Sequence, residues 1–262
     1  MKSKILIIAI FLCAFRELVF AQDFTAYQKH LFIQGTDSLP YRLLLPLNYD
    51  AKKNYPLILF LHGAGERGND NEKQLLHGGD LFLTDSIRKN YPAIVVFPQC
   101  AANDFWSNIV VHNDSVAQKK IFEFPANLPP KTDLKLVMLL LDDLEKTYKV
   151  NTKKMYVGGL SMGGMGTYEL VRNMPGKFVA AFAICGGADP VTAKQISKPS
   201  WWIFHGLKDN VVDPQLSKNM AAALKDAGAD VRITLYPEDG HDSWDDAFRE
   251  PQFFSWMFSH HK

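Results

Sequence analysis

A chain of 262 residues, 47% of them apolar and 22% charged, has the composition of an ordinary globular protein with enough apolar mass for a sizeable core. Its 29 basic and 28 acidic side chains nearly cancel. With no overall field to gather nucleic acid or an anionic membrane, neither is an expected partner, and a ligand must be recognised by a local site.

The chain opens with Lys2 and Lys4, an apolar run over residues 5–15, and the small residue Ala21 ahead of Gln22. This layout predicts a secretory signal peptide over residues 1–21, too short in its apolar part to anchor the protein. Residues 22–262 are then one domain, secreted or periplasmic, without membrane attachment. Cys100 and Cys185 remain after the leader and could pair only if their Cα atoms approach within about 7 Å. No CxxC pair or Cys/His cluster has metal-binding spacing, so neither metal nor other cofactor is expected.

Residues 29–34 and 39–45 read as two strands of a hairpin joined through Gly35, Thr36 and Asp37. Short, continuously apolar runs follow at residues 56–61, 93–97, 154–158, 179–184, 201–204 and 231–236. Such runs fit strands covered on both faces, hence a mainly parallel sheet. Between them lie helical segments. Leu134, Leu136, Val137, Leu140, Leu141, Leu144 and Tyr148 mark one face of a helix over 133–148, with Thr132 or Asp133 as its cap. A second helix runs over 214–227 behind Asp213, a third starts just after Ser161, and a closing helix over 244–259 is broken near Pro251. An antiparallel hairpin followed by βα units gives an α/β fold with a doubly wound sheet, whose ligand site belongs at the carboxyl ends of the strands. Residues 100–131 form a long irregular insertion expected to lie over that end.

One motif carries chemistry. The strand ending at Gly158 runs into Gly159-Leu160-Ser161-Met162-Gly163-Gly164 and then a helix, which is G-x-S-x-G in its strand–turn–helix setting. The glycines let strand and helix close around a serine raised on a sharp turn, and the Met162 amide at the helix start is placed to bind an oxyanion. A second oxyanion donor is expected from Leu61-His62-Gly63-Ala64-Gly65-Glu66-Arg67-Gly68, with Ala64 the first candidate and Gly65 the second. His62 reads as a packed or orienting residue. Serine needs a base, and the base a carboxylate. In the order Ser, acid, His, the loop after residues 201–204 supplies Asp209 and the loop after the last strand supplies His241.

With these residues in place the sequence resembles the α/β-hydrolase superfamily, and within it carbohydrate esterase family 1, the feruloyl and acetylxylan esterases, and the polyhydroxybutyrate depolymerases. The resemblance rests on residues 61–75, Phe97-Pro98-Gln99-Cys100 with Trp106, the Gly159 elbow, Cys185-Gly186-Gly187-Ala188-Asp189, His205-Gly206-Leu207-Lys208-Asp209 and Gly240-His241-Asp242-Ser243-Trp244. It implies a serine carboxylesterase with Ser161 as nucleophile, Asp209 as acid and His241 as base, acting on a small or polysaccharide-linked ester. It also implies that Gln99 and Trp106 border the substrate, Trp106 as a stacking surface. Glu66 and Arg67 are expected to form a loop-fixing ion pair. Two other readings are an exopeptidase of the prolyl oligopeptidase type and a non-catalytic binding module on the same fold.

Overall fold

The computed structural model describes residues 23–114 and 119–262, and the expected signal peptide lies outside them. In chain order the elements are β1 (Gln28–Gln34), β2 (Asp37–Leu44), β3 (Tyr55–Leu61), α1 (Asp85–Asn90), β4 (Ile94–Pro98), β5 (Val110–Asp114), β6 (Lys119–Glu123) and α2 (Thr132–Thr147). After them come β7 (Val150–Leu160), α3 (Met162–Asn173), β8 (Ala180–Ile184), β9 (Ser200–Gly206), α4 (Pro214–Asp226), β10 (Val231–Tyr236), α5 (Trp244–Arg249) and α6 (Phe253–Ser259). No helix among the described residues is long and apolar enough to cross a membrane.

Eight strands form one sheet in the order β1-β2-β4-β3-β7-β8-β9-β10. β2 runs antiparallel to β1 and β4, and every pair from β4 to β10 is parallel. The apolar runs become legible here, because successive side chains of a strand point to opposite faces. Leu57, Leu59, Ile94, Val96, Val157, Ala181 and Ile203 enter a core beneath α2, α3 and α4. Their neighbours Ile58, Phe60, Val95, Phe97, Tyr156, Phe182 and Phe204 enter a second core, closed by Phe253, Phe254 and Met257 of α6.

Two local features differ from expectation. Residues 100–131 are not wholly irregular, since β5 and β6 pair as a separate two-stranded sheet. Neither Thr132 nor Asp133 caps α2: Asp104 accepts the Asp133 N–H at 3.0 Å, while the Asp133 carboxylate accepts the Ala101 N–H at 2.6 Å. The insertion is therefore stitched to the helix start from both sides. Asp213 caps α4 as expected, accepting the Gln215 N–H at 2.8 Å ahead of Pro214.

Candidate active site

Ser161 stands alone between the end of β7 and the start of α3, with φ 52° and ψ −116°. A serine reaches that conformation only at a cost of about 1–3 kcal/mol, which the surrounding structure must impose. The Ser161 N–H donates to Ile184 O at 2.8 Å, and its carbonyl accepts the Met165 N–H at 3.0 Å. Glycine is required on either side for steric reasons. A Cβ on Gly163 would lie 1.9 Å from the Leu61 carbonyl oxygen, and one on Gly159 2.4 Å from the same atom. The ends of β3 and β7 and the first turn of α3 thus meet at backbone contact, with the serine side chain lifted clear.

Three loops at the carboxyl ends of β7, β9 and β10 bring Ser161, Asp209 and His241 together. His241 Nε2 lies 2.9 Å from Ser161 Oγ, and His241 Nδ1 lies 2.7 Å from Asp209 Oδ2. The other carboxylate oxygen accepts the Val211 and Val212 amides at 2.8 and 2.9 Å. Burial by itself would raise the Asp209 pKa. Hydrogen bonds from His205, His241 and the two amides overcome it and hold the carboxyl well below the usual range. Asp209 is therefore an anion that accepts from His241 Nδ1–H, which leaves Nε2 free to take a proton from the serine.

The loop after β3 packs against this serine. A Cβ built on Gly63 would lie 3.7 Å from Ser161 Cβ. Ala64 opens a short 3-10 turn (Ala64–Glu66) and Met162 opens α3, so neither amide has an intrahelical carbonyl behind it. His62 organises the loop from below. It is buried, Nδ1–H donates to Gly63 O at 2.6 Å, and Nε2 accepts the Cys100 N–H at 2.9 Å. Burial pushes its pKa down to about 4, so it is a neutral structural imidazole.

The side chains of Trp106 and Gln99, expected to border the substrate, are both buried. Trp106 is fully buried, its indole N–H donates to His62 O at 3.1 Å, and its Cβ would stand 2.3 Å from a Cβ on Gly166. Both ring faces are committed to packing. Gln99 is also fully buried; it donates to Glu66 O at 3.1 Å and Asp70 Oδ1 at 2.9 Å and accepts the Asn71 N–H at 2.7 Å. It fixes the loop from behind. Gly65 is exposed, with open space where a Cβ would project. Glu66 and Arg67 are not paired with one another: Glu66 faces His77 Nε2 at 3.6 Å, whereas Arg67 donates to Ala64 O and lies over the Phe105 ring at 4.3 Å.

Cys100 and Cys185 are both free and buried, and burial pushes both thiols up. Cys185 lies beneath the site with φ 42°. Its Sγ and donor atoms of Asp209 and His241 lie within 4.8 Å of one another, the group of described residues that could contact one metal ion. Asp209 and His241 are already hydrogen-bonded to one another through Oδ2 and Nδ1.

Two residues near the chemistry were not singled out from sequence. His205 reaches Asp209 Oδ2 at 3.1 Å, and Trp244 stands edge-on to the His241 ring at 5.6 Å between centroids and tilted against His77 at 5.0 Å. Their signals were present, since each lies in the same short loop motif as a triad residue.

A solved thermostable esterase matches 90% of this chain and 64% of its own, at 29% identity and a TM-score of 0.79. A CE1 ferulic acid esterase from Anaeromyces mucronatus, solved with ferulic acid, matches 89% of this chain and 90% of its own with a TM-score of 0.64; at 16% identity it shows a shared fold. In sequence, 84 residues are 36% identical to the bifunctional acetylxylan esterase/xylanase XynS20E of Neocallimastix patriciarum, a stretch covering 32% of this chain and 12% of that enzyme. This chain thus spans less than two thirds of the thermostable esterase and a small part of the fungal protein. The fold is that of the α/β-hydrolases, and with residues 36–236 matching its pattern the chain belongs to the Esterase family.

Proposed function

We propose that this protein is a serine carboxylesterase that works through an acyl-enzyme. The observation that carries the reading is the continuous chain from Asp209 through His241 to Ser161 Oγ, at 2.7 and 2.9 Å, on a strained elbow. Ser161 Oγ attacks the ester carbonyl while His241 Nε2 takes its proton. The Ala64 and Met162 amides hold the oxyanion, and His241 returns the proton to the leaving alcohol. Water then repeats the sequence on the acyl-enzyme and releases the acid. Asp209 stays ionised throughout and keeps the imidazole aimed.

Feruloyl or acetyl esters of plant polysaccharide are the proposed substrates, reached by an exported protein. The ferulic acid esterase and acetylxylan esterase similarities and the leader-like residues 1–21 support that choice. The aromatic side chain bordering the catalytic histidine is Trp244. A cleft of about 400 Å³ lies between Phe122 of β6, Phe124 and Pro125 just after it, and Ala188, Pro190 and Leu216, close to the end of β8. The test is release of ferulate from methyl ferulate beside acetate from short aryl esters, with Ser161→Ala as control. Ferulate preference supports an aromatic-acyl pocket. Preference for acetate assigns a deacetylase, and loss of both with cleavage of peptide substrates overturns the esterase reading.

A further inference from the structure

Asp209 Oδ2 receives two histidines. His241 Nδ1 approaches at 2.7 Å from the loop after β10, and His205 Nε2 approaches the same oxygen at 3.1 Å from the end of β9. His205 is fully buried, and its remaining contacts fix the ring. Nε2 also faces Val212 O at 3.0 Å, and Nδ1 faces Ser217 Oγ of α4 at 2.7 Å; that hydroxyl is 3.1 Å from Gly186 O, just beyond β8. Because Nε2 meets only acceptors, a hydrogen sits on Nε2 and His205 donates to the carboxylate.

A buried histidine that merely satisfied the core could bond either oxygen of a neighbouring acid, or neither. Here the backbone amides of Val211 and Val212 hold Oδ1, and His205 shares the one oxygen on which His241 depends. Resting on the esterase reading, we propose that His205 is a positioning residue of the triad. Held by Ser217, it locks the Asp209 rotamer and takes part of the charge on Oδ2, so that His241 is oriented firmly. The network then runs Gly186–Ser217–His205–Asp209–His241–Ser161 and ties the ends of β7, β8, β9 and β10 to α4. Among the described residues, other titratable or charged groups beside it include the Cys185 thiol, within 4.8 Å of the Asp209 and His241 donor atoms, Asp242 near that thiol, and Lys120, Asp213 and Lys218 lining the cavity that Asp209 also lines.

The test is the pH profile of kcat/KM on an aryl acetate for the wild type, His205→Leu, His205→Gln and Ser217→Ala, each checked for folding by thermal melting. A hydrogen bond to a charged group implies that His205→Leu lowers kcat by about 10-fold to 100-fold with KM within about twofold. Its acid limb moves to higher pH, because Oδ2 then serves His241 alone. His205→Gln restores an N–H donor and returns both kcat and the limb towards wild type. A folded His205→Leu protein with wild-type kcat and limb overturns the proposal, as does a His205→Gln protein impaired as deeply as His205→Leu. Should His205→Leu not fold, Ser217→Ala decides: the same limb shift on a smaller scale supports the assignment, and an unchanged profile overturns it. Hydrolysis that survives Ser161→Ala overturns the esterase reading instead, and the proposal is then read from the downfield Nδ1–H resonance of His241, which must move in His205→Leu and hold its position in His205→Gln.

Discussion

The indole N–H of Trp106 donates to the carbonyl oxygen of His62 at 3.1 Å, which makes the tryptophan a support of the loop carrying Ala64. Trp106→Phe keeps most of the packing and loses one buried hydrogen bond, a cost of about 1–3 kcal/mol, whereas Trp106→Ala costs about 3–5 kcal/mol. Chemical denaturation reads both values. A support acts on every substrate alike, so Trp106→Phe should lower kcat/KM for methyl ferulate and for aryl acetate by the same factor. Selective loss of the aromatic acyl group would restore Trp106 as a stacking surface.

His62 links acidity to stability. Desolvation lowers its folded pKa to about 4, against an ordinary value of 6.5, so the unfolded chain takes up the proton first. Its contribution is complete above pH of about 6.5 and is lost as pH falls towards about 4, a change of about 3 kcal/mol. Urea unfolding of the wild type and His62→Gln at pH 7 and at pH 4.5 should show the smaller loss in the variant. Equal losses would place the acid sensitivity elsewhere.

For Asp209 the sign is that of a depressed carboxylate. The stability it contributes is present above its unfolded pKa of about 3.9 and is lost as pH falls towards its lower folded value. Asp209→Asn should therefore flatten the acid limb of unfolding below pH of about 4. In activity at neutral pH it should cost roughly 10³- to 10⁴-fold in kcat, since the amide no longer holds the productive imidazole tautomer. A variant with near-native kcat at neutral pH would remove Asp209 from the triad.

The elbow and the loop opposite it predict opposite responses to the same small change. Gly163→Ala forces a methyl group against the Leu61 carbonyl oxygen, 1.9 Å from its ideal position, and should cost more than about 3 kcal/mol or prevent folding. Gly65→Ala meets open space and should leave stability within about 0.5 kcal/mol. Thermal melting compares the two directly.

The parallel sheet was legible because runs such as Leu57-Ile58-Leu59-Phe60 have no polar face, and a strand of that kind needs cover on both sides. The elbow was legible because Gly159 and Gly163 flank Ser161 at the spacing that backbone contact demands. The β5–β6 pair was not, because Val110, Val111 and Ile121 are exposed and no buried stripe marks the strands. The burial of Trp106 and Gln99 was not legible for another reason. A residue near a site in sequence can face the ligand or brace the loop from behind, and the choice depends on carbonyls and amides of remote segments such as His62 and Asn71. The contacts that fix His205 were hidden in the same way, since its partner Ser217 comes from a later helix.

The central claim is that Ser161 Oγ becomes covalently acylated. Intact-protein mass spectrometry after rapid mixing with a slowly deacylated aryl ester, followed by peptide mapping, reads this directly. One acyl group per chain on the peptide containing Ser161, formed with a stoichiometric burst of phenol and absent from Ser161→Ala, is the expected result. An acyl group on another residue, or steady hydrolysis by Ser161→Ala with no trapped intermediate, would contradict the account.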